Sequence, residues 1–182
     1  MARPSMAALI SLVRDLINDP APSGTTPVFS DDNIERALDI HRWDYRYAPL
    51  IPLTTISGGI INYLDWYSGE MYWETDAALY DNSLTVLTPS VSDPLHGRWT
   101  FATDQQDGVF VSGKVYDPYG AAADLLEMLA TKYAIEFDFE ADGASYKRSQ
   151  KAAAMNAMAE KYRRMQRIVI ADQTRNDINH VE

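Results

Sequence analysis

The sequence predicts a mainly α protein with a β insertion: a four-helix bundle-like core, two helices from the N-terminal part and two from the C-terminal part, around an antiparallel β-hairpin region. Three observations carry this reading. Apolar residues recur every three or four positions at both ends of the chain, the periodicity of a helix with one buried face. Between Ala48 and Asp117 prolines, β-branched residues and aromatics take over, with Gly-containing pairs at hairpin spacing. Good capping residues stand at the edges of the periodic segments.

Taken in order, the first helix spans 5–18. Ser5 is its cap, and Met6, Leu9, Ile10, Val13, Leu16 and Ile17 form one apolar face before "NDP" ends it. The breaker-rich "PAPSGTTP" links it to a second helix over 31–46. Ser30 caps that helix, Phe29 and Ile34 are spaced for a hydrophobic staple, and Asp31, Asp32 and Glu35 suit the positive end of the helix dipole. Hairpin signals follow at Gly58-Gly59, Ser68-Gly69 and Asp107-Gly108, and in "GRWTF" Trp99 and Phe101 alternate with Arg98 and Thr100 as on a strand with one packed face. Asp117-Pro118 reads as a cap with proline at the first helical position. The third helix, 118–141, buries Ala122, Leu125, Leu126, Leu129, Tyr133 and Phe137. A fourth spans 145–170 with a packing seam at Met155, Met158, Tyr162, Met165 and Val169 and with Arg163, Arg164 and Arg167 on the opposite side. The whole chain, 1–182, then forms one domain: helical core 5–47 and 117–170, β-rich insertion 48–116, and a polar tail over 171–182 with no periodicity.

Composition removes several chemistries. With no cysteine there is no disulfide, thiolate zinc site or thiol nucleophile, which fits a reducing cytoplasm. "MAALISLV" is too short to span a membrane and lacks a basic leader, so no signal peptide or membrane span is expected. The net charge of -10 is unevenly spread: residues 1–61 hold five Lys/Arg against seven Asp/Glu, 62–142 three against fifteen, and 143–182 eight against four. The acidic body disfavours nucleic acid, whereas the basic end suits an anionic partner or, more simply, a solvated helix face.

No catalytic or cofactor motif stands out, and no metal site is expected. "DFEADG" has the outline of a calcium loop, but Glu140 takes the third place and Ser149 the twelfth, where a bidentate Glu is needed, so an acidic helix end is the simpler reading. His41, His96 and His180 are too scattered for a two-His helix motif, and no Gly-rich phosphate loop is present. Two readings remain as alternatives: a metal-dependent enzyme using Asp138, Glu140 and Asp142, and a nucleic-acid-binding protein using Lys147, Arg148, Lys151, Arg163, Arg164 and Arg167.

An ordered series of segments carries a resemblance. "MAALISLVRDLINDP", "FSDDNIERALD", "YAPL", "LTVLTPSVSDPLHGRWTFATD", "VSGKVYDPYGAAADLLEMLA", "FDFEADGASYKRSQ" and "MAEKYRRM" together, over residues 6–168, resemble the head-tail adaptor (connector) proteins of long-tailed bacteriophages and related gene-transfer particles. The resemblance implies a structural virion protein without catalytic, cofactor or metal residues, assembled in the host cytoplasm and resident in the neck. There a ring, usually of twelve copies, would sit between the portal protein and the stopper or tail terminator protein and extend the channel for DNA. It further implies a portal-side contact through Arg163, Arg164, Arg167 and Arg175 with the tail residues Ile178 and Val181. Trp66, Tyr72 and Trp73 would be anchors for a neighbouring subunit or for the stopper, their alternative role being to fill the β core. An acidic channel wall would let DNA slide without sticking.

Overall fold

The computed structural model describes residues 2–19, 27–57, 60–106, 108–135, 139–141, 144–146 and 148–167. A 3-10 turn, Pro4–Met6, leads into α1 (Ala7–Ile17), which buries Leu9, Ile10, Val13 and Ile17 and closes at Asn18 in the left-handed conformation (φ 53°). Ser5 does not cap this helix. Its hydroxyl donates instead to Glu74, far along the chain, at 2.5 Å. α2 (Asp31–Ile40) starts as expected, with the Ser30 hydroxyl accepting from the Asn33 amide at 3.3 Å and with Phe29 and Ile34 both buried.

The expected helix over 31–46 ends early. From Arg42 the order Arg-Trp-Asp-Tyr-Arg-Tyr has period two, with aromatics at alternate places, and this section forms β1 (Arg42–Pro49). Its partner is β8 (Phe110–Tyr116), antiparallel, from Arg42 opposite Tyr116 to Pro49 opposite Phe110, with a bulge between Tyr45 and Ala48. Between them run β2 (Ile51–Ser57), β3 (Ile60–Tyr67), β4 (Ala78–Tyr80), β5 (Val86–Leu87), β6 (Val91–Asp93) and β7 (Arg98–Thr100). They make two four-stranded antiparallel sheets, one in the order β1-β8-β4-β5 and one in the order β2-β3-β7-β6. This corrects the expected class: the protein is a mixed α/β fold, not a mainly α one with a four-helix bundle-like core. The β part carries a core of its own, in which Trp66, Trp73, Trp99, Leu79, Val111 and Val115 are buried together and Trp73 meets Trp99 edge to face at 6.0 Å.

Of the three hairpin signals one joins neighbours. β2 and β3 pair up to Ser57 opposite Ile60, on either side of Gly58-Gly59, which lie outside the described residues. After Tyr67 the chain runs on to Trp73, which bridges to Val115, and β7 and β8 belong to different sheets, so Ser68-Gly69 and Asp107-Gly108 do not close hairpins. The alternation in "GRWTF" is as expected, with Trp99 and Phe101 buried.

α3 (Pro118–Ile135) and α4 (Arg148–Met165) lie antiparallel, with Tyr119 against Tyr162 at 6.0 Å and the Lys151 ammonium over the Tyr133 ring at 4.0 Å, while α1 and α2 pack on α3. The helix expected through residue 141 gives way to a short ribbon, β9 (Phe139–Ala141) paired with β10 (Ala144–Tyr146), so the helical stretches 5–47 and 117–170 are both interrupted by strand. The seam of α4 is also shifted. Tyr162 is buried and Met155 packs half-buried against the core as expected, but Met158 and Met165 are exposed and Ala152 and Ala159 take the remaining inner places, since α4 lies close along α3. Tyr162 donates to the Leu16 carbonyl at 2.8 Å and so ties α4 to α1. Phe137, Val169 and the tail over 171–182 lie outside the described residues.

The helical and β cores meet at Glu74. Its side chain is fully buried and accepts from Ser5 (2.5 Å), from the Tyr116 hydroxyl (2.7 Å) and from Lys114 (3.3 Å), with Arg3 at 3.8 Å. Burial on its own pushes this carboxyl up. The hydrogen bonds from Ser5 and Tyr116 and the charges of Arg3 and Lys114 outweigh it, and the net shift is downward.

Candidate interaction site at the end of α4

The site is organised by Asp117, the residue between β8 and α3. Its amide donates to the His41 carbonyl at 3.0 Å, which fixes it against the end of α2. One carboxylate oxygen accepts from the Tyr119 (2.9 Å) and Gly120 (3.1 Å) amides and caps α3, in line with the Asp-Pro signal. The other oxygen accepts from the Arg167 amide at 2.8 Å. A single buried carboxylate therefore starts α3 and pins the chain just past the end of α4.

Around this hub the polar side chains are paired. His41 Nε2 meets Asp124 Oδ2 at 2.8 Å, and His41 Nδ1 meets the Gln166 amide nitrogen at 3.3 Å. With Gln166 as donor, the proton on the ring sits on Nε2 and points at Asp124. Gly120 makes room for this ring, since a Cβ there would lie 2.8 Å from His41 Nδ1. Arg163 reaches Asp124 at 2.5 Å and both oxygens of Glu127 at 3.0 and 3.3 Å, a forked pairing that holds α4 to α3. Arg167 reaches Glu70 (2.7 Å) and the Tyr45 hydroxyl (2.8 Å), and its guanidinium lies 5.0 Å from the Trp43 ring. Its other terminal nitrogen, Nη1, is buried without a hydrogen-bond partner among the described residues.

Beside Arg167 lies a cleft of about 240 Å³ walled by Glu70, Met71, Tyr72, Tyr119 and Met165. Tyr72 stands edge to face with Tyr119 at 6.3 Å, and burial, then Tyr119 and Asp117, push its phenol up to about 12, so it is neutral at physiological pH. The cleft thus offers aromatic walls, an uncharged hydroxyl and a rim of one acid and one guanidinium. The His41–Asp124 pair has the form of a base with an orienting acid, but its second nitrogen is taken by Gln166, so the pair works as a clasp between α2, α3 and α4.

The residues singled out from the sequence are dispersed. Arg163 and Arg167 gather here, though both are engaged within the chain, and Arg164 is exposed on the outer side of α4. Arg175, Ile178 and Val181 lie outside the described residues. Tyr72 lines the cleft. Trp66 and Trp73, 4% and 0% exposed, are core residues, so they do not stand as surface anchors. Asp138 and Asp142 of the suggested calcium loop also lie outside the described residues, and Glu140 falls in β9. Among the described residues no three His, Asp or Glu side chains converge as metal ligands, and no helix is long and apolar enough to cross a membrane. Sequence reasoning missed Glu70, Trp43, Tyr45 and Asp124. The one signal for the hub was the Asp117 cap, whose second oxygen carries no sequence mark.

Comparison with protein-family models, with characterised proteins and with solved structures finds no match to this chain.

Proposed function

We propose that the protein is a structural adaptor: a copy in a ring, usually twelvefold, seated in the neck of a tailed bacteriophage between the portal protein and a stopper or tail terminator protein, around the channel through which DNA passes. The observation that carries this reading is the rooting of the chain at Arg167. Its amide is held by Asp117 and its guanidinium by Glu70 and Tyr45, so the chain is fixed at this residue just past the end of α4. A polar terminal segment rooted in this way suits a tail that orders on a partner. In this reading Arg164 and Arg175, with Ile178 and Val181, meet the portal, while Arg163 and Arg167 hold the root in place.

The test is removal of residues 171–182. The shortened protein keeps its fold, because both buried cores and the Asp117 hub are built from residues up to 167, but it no longer joins DNA-filled heads. Normal numbers of tailed, infectious particles from the truncated gene would overturn the portal assignment.

A further inference from the structure

The register of the second sheet sorts its side chains into two faces. Trp66 opposite Trp99 lies on the inner face, and both are buried. The neighbouring pairs therefore point outward, as two rows across the sheet: Ile51, Tyr67, Arg98 and Asp93 in one, Leu53, Asp65, Thr100 and Val91 in the other. Ile51, Leu53 and Val91 are 47%, 45% and 61% exposed. A hollow of about 290 Å³ opens between Leu53, Asp65, Arg98 and Thr100 and reaches down to Trp66 and Trp99. The chain from Tyr47 to Leu64, which supplies the apolar edge of this face, holds no charged residue.

The outward face of α4 has the complementary character. Ala154, Ala157, Met158, Lys161, Arg164 and Met165 are all exposed and share one face of the helix, on the side away from buried Ala152, Ala159 and Tyr162. Within α4 the only acid is Glu160, against Arg148, Lys151, Lys161, Arg163 and Arg164. Arg163 and Lys151 are taken up by α3, whereas Lys161 and Arg164 form no ion pair among the described residues. In a chain of net charge -10 two copies repel over most of their surface. The basic, methionine-bearing face of α4 is where an acidic copy can approach. Methionine is unbranched and polarizable, so it fills an irregular hollow floored by aromatic rings well.

We propose that the outward face of the β2-β3-β7-β6 sheet binds the outward face of α4 in a second copy of this chain, with Met158 or Met165 entering the hollow beside Leu53 and with Lys161 opposite Asp65 and Asp93. The two faces are different surfaces of one chain, so the contact is head-to-tail, and repetition gives a ring if the rotation closes. This rests on the adaptor reading only for the number of copies; the contact itself is a property of the purified chain.

The chain has no native cysteine, which makes the contact measurable by cross-linking. Leu53→Cys and Met158→Cys, each made in the full-length protein, are mixed and treated with a short bismaleimide. The mixture is expected to give a cross-linked dimer at roughly tenfold the level of either variant alone or of Leu53→Cys mixed with Ser11→Cys, the enhancement that about 1.4 kcal/mol of contact energy produces. The double variant should give a ladder of higher oligomers, and added salt should lower all the yields. Ile51→Cys with Lys161→Cys repeats the experiment at a second pair. Yields no higher than the Ser11 control at both pairs, or single variants that cross-link to themselves as well as the mixture does, would overturn the proposal. If the cross-links fail while removal of 171–182 still blocks head joining, the adaptor reading stands and this contact falls. If they succeed while the truncation is harmless, the reverse holds.

Discussion

Glu74 illustrates how one buried charge is tolerated. Four groups from two parts of the chain surround it, and removal of the carboxylate by Glu74→Ala leaves Arg3, Lys114 and the Tyr116 hydroxyl facing a void. A loss of about 3 kcal/mol in urea denaturation is expected from breaking such a buried pairing. The sign of its pH dependence follows from the downward shift. The carboxyl contributes fully above its ordinary value of 4.5, and the contribution is lost as the pH falls through the lower folded-state value. The thermal midpoint of the wild type should therefore drop more steeply below pH 4.5 than that of Glu74→Gln, and parallel curves would show that Glu74 is not the group concerned. Gly120 is a second single-residue test. Gly120→Ala would place a Cβ 2.8 Å from His41 Nδ1, so the ring must leave Asp124 or the first turn of α3 must shift, at a cost of about 1–3 kcal/mol by the same denaturation.

Among the elements, α3 and the end of α4 share Asp117. Asp117→Ala removes the cap and the hold on the Arg167 amide together and should lower stability by about 2 kcal/mol, at the upper end for a lost cap. Asp117→Asn keeps an acceptor oxygen for the cap and should recover most of that in the unfolding midpoint. It should not recover protection of the Arg167 amide from hydrogen exchange. This doubled role marks the limit of what the sequence carried. The starts of α2 and α3, the pairing of β2 with β3 and the alternation at Trp99 and Phe101 were legible, because caps, glycine pairs and period-two patterns are local. The switch from α2 to β1 at His41 was not, since "IHRWDYRY" supports either period and the choice falls to β8, which arrives some seventy residues later and offers Arg42 to Pro49 a partner. The seam of α4 was only half legible for a similar reason: Met155 and Tyr162 face the core, but the packing against α3 puts Ala152 and Ala159 inside and Met158 and Met165 outside, which methionine spacing does not tell. Arg163 and Arg167 read as free surface cations until Glu127, Asp124 and Glu70 were brought to them by the fold.

For the whole molecule, two hydrophobic clusters are joined by a small polar node. All four tryptophans, at 43, 66, 73 and 99, belong to the β part, so tryptophan fluorescence follows the β part while far-UV circular dichroism near the helix minimum follows α1 to α4. In the wild type the two signals should trace one unfolding transition, because Glu74 and Tyr116 couple the clusters. In Glu74→Ala the transitions should separate, with the fluorescence change and the helical signal no longer superimposed. Coincident curves in that variant would place the coupling elsewhere, most directly at the His41–Asp117 contact.

The bond from Tyr162 to the Leu16 carbonyl also bears on how the chain is made. Synthesis proceeds at about 5–20 residues per second, so roughly 7–30 s separate the appearance of Leu16 from that of Tyr162. Throughout that interval α1, too short to be stable by itself, has none of its α4 contacts, and it lacks α3 for most of it. Its Met6, Leu9 and Val13, fully covered in the finished protein, are open to solvent while the ribosome works. An element made before its partners is thus among the last to be enclosed, and a chaperone or an aggregation partner meets the growing chain through the apolar face of α1.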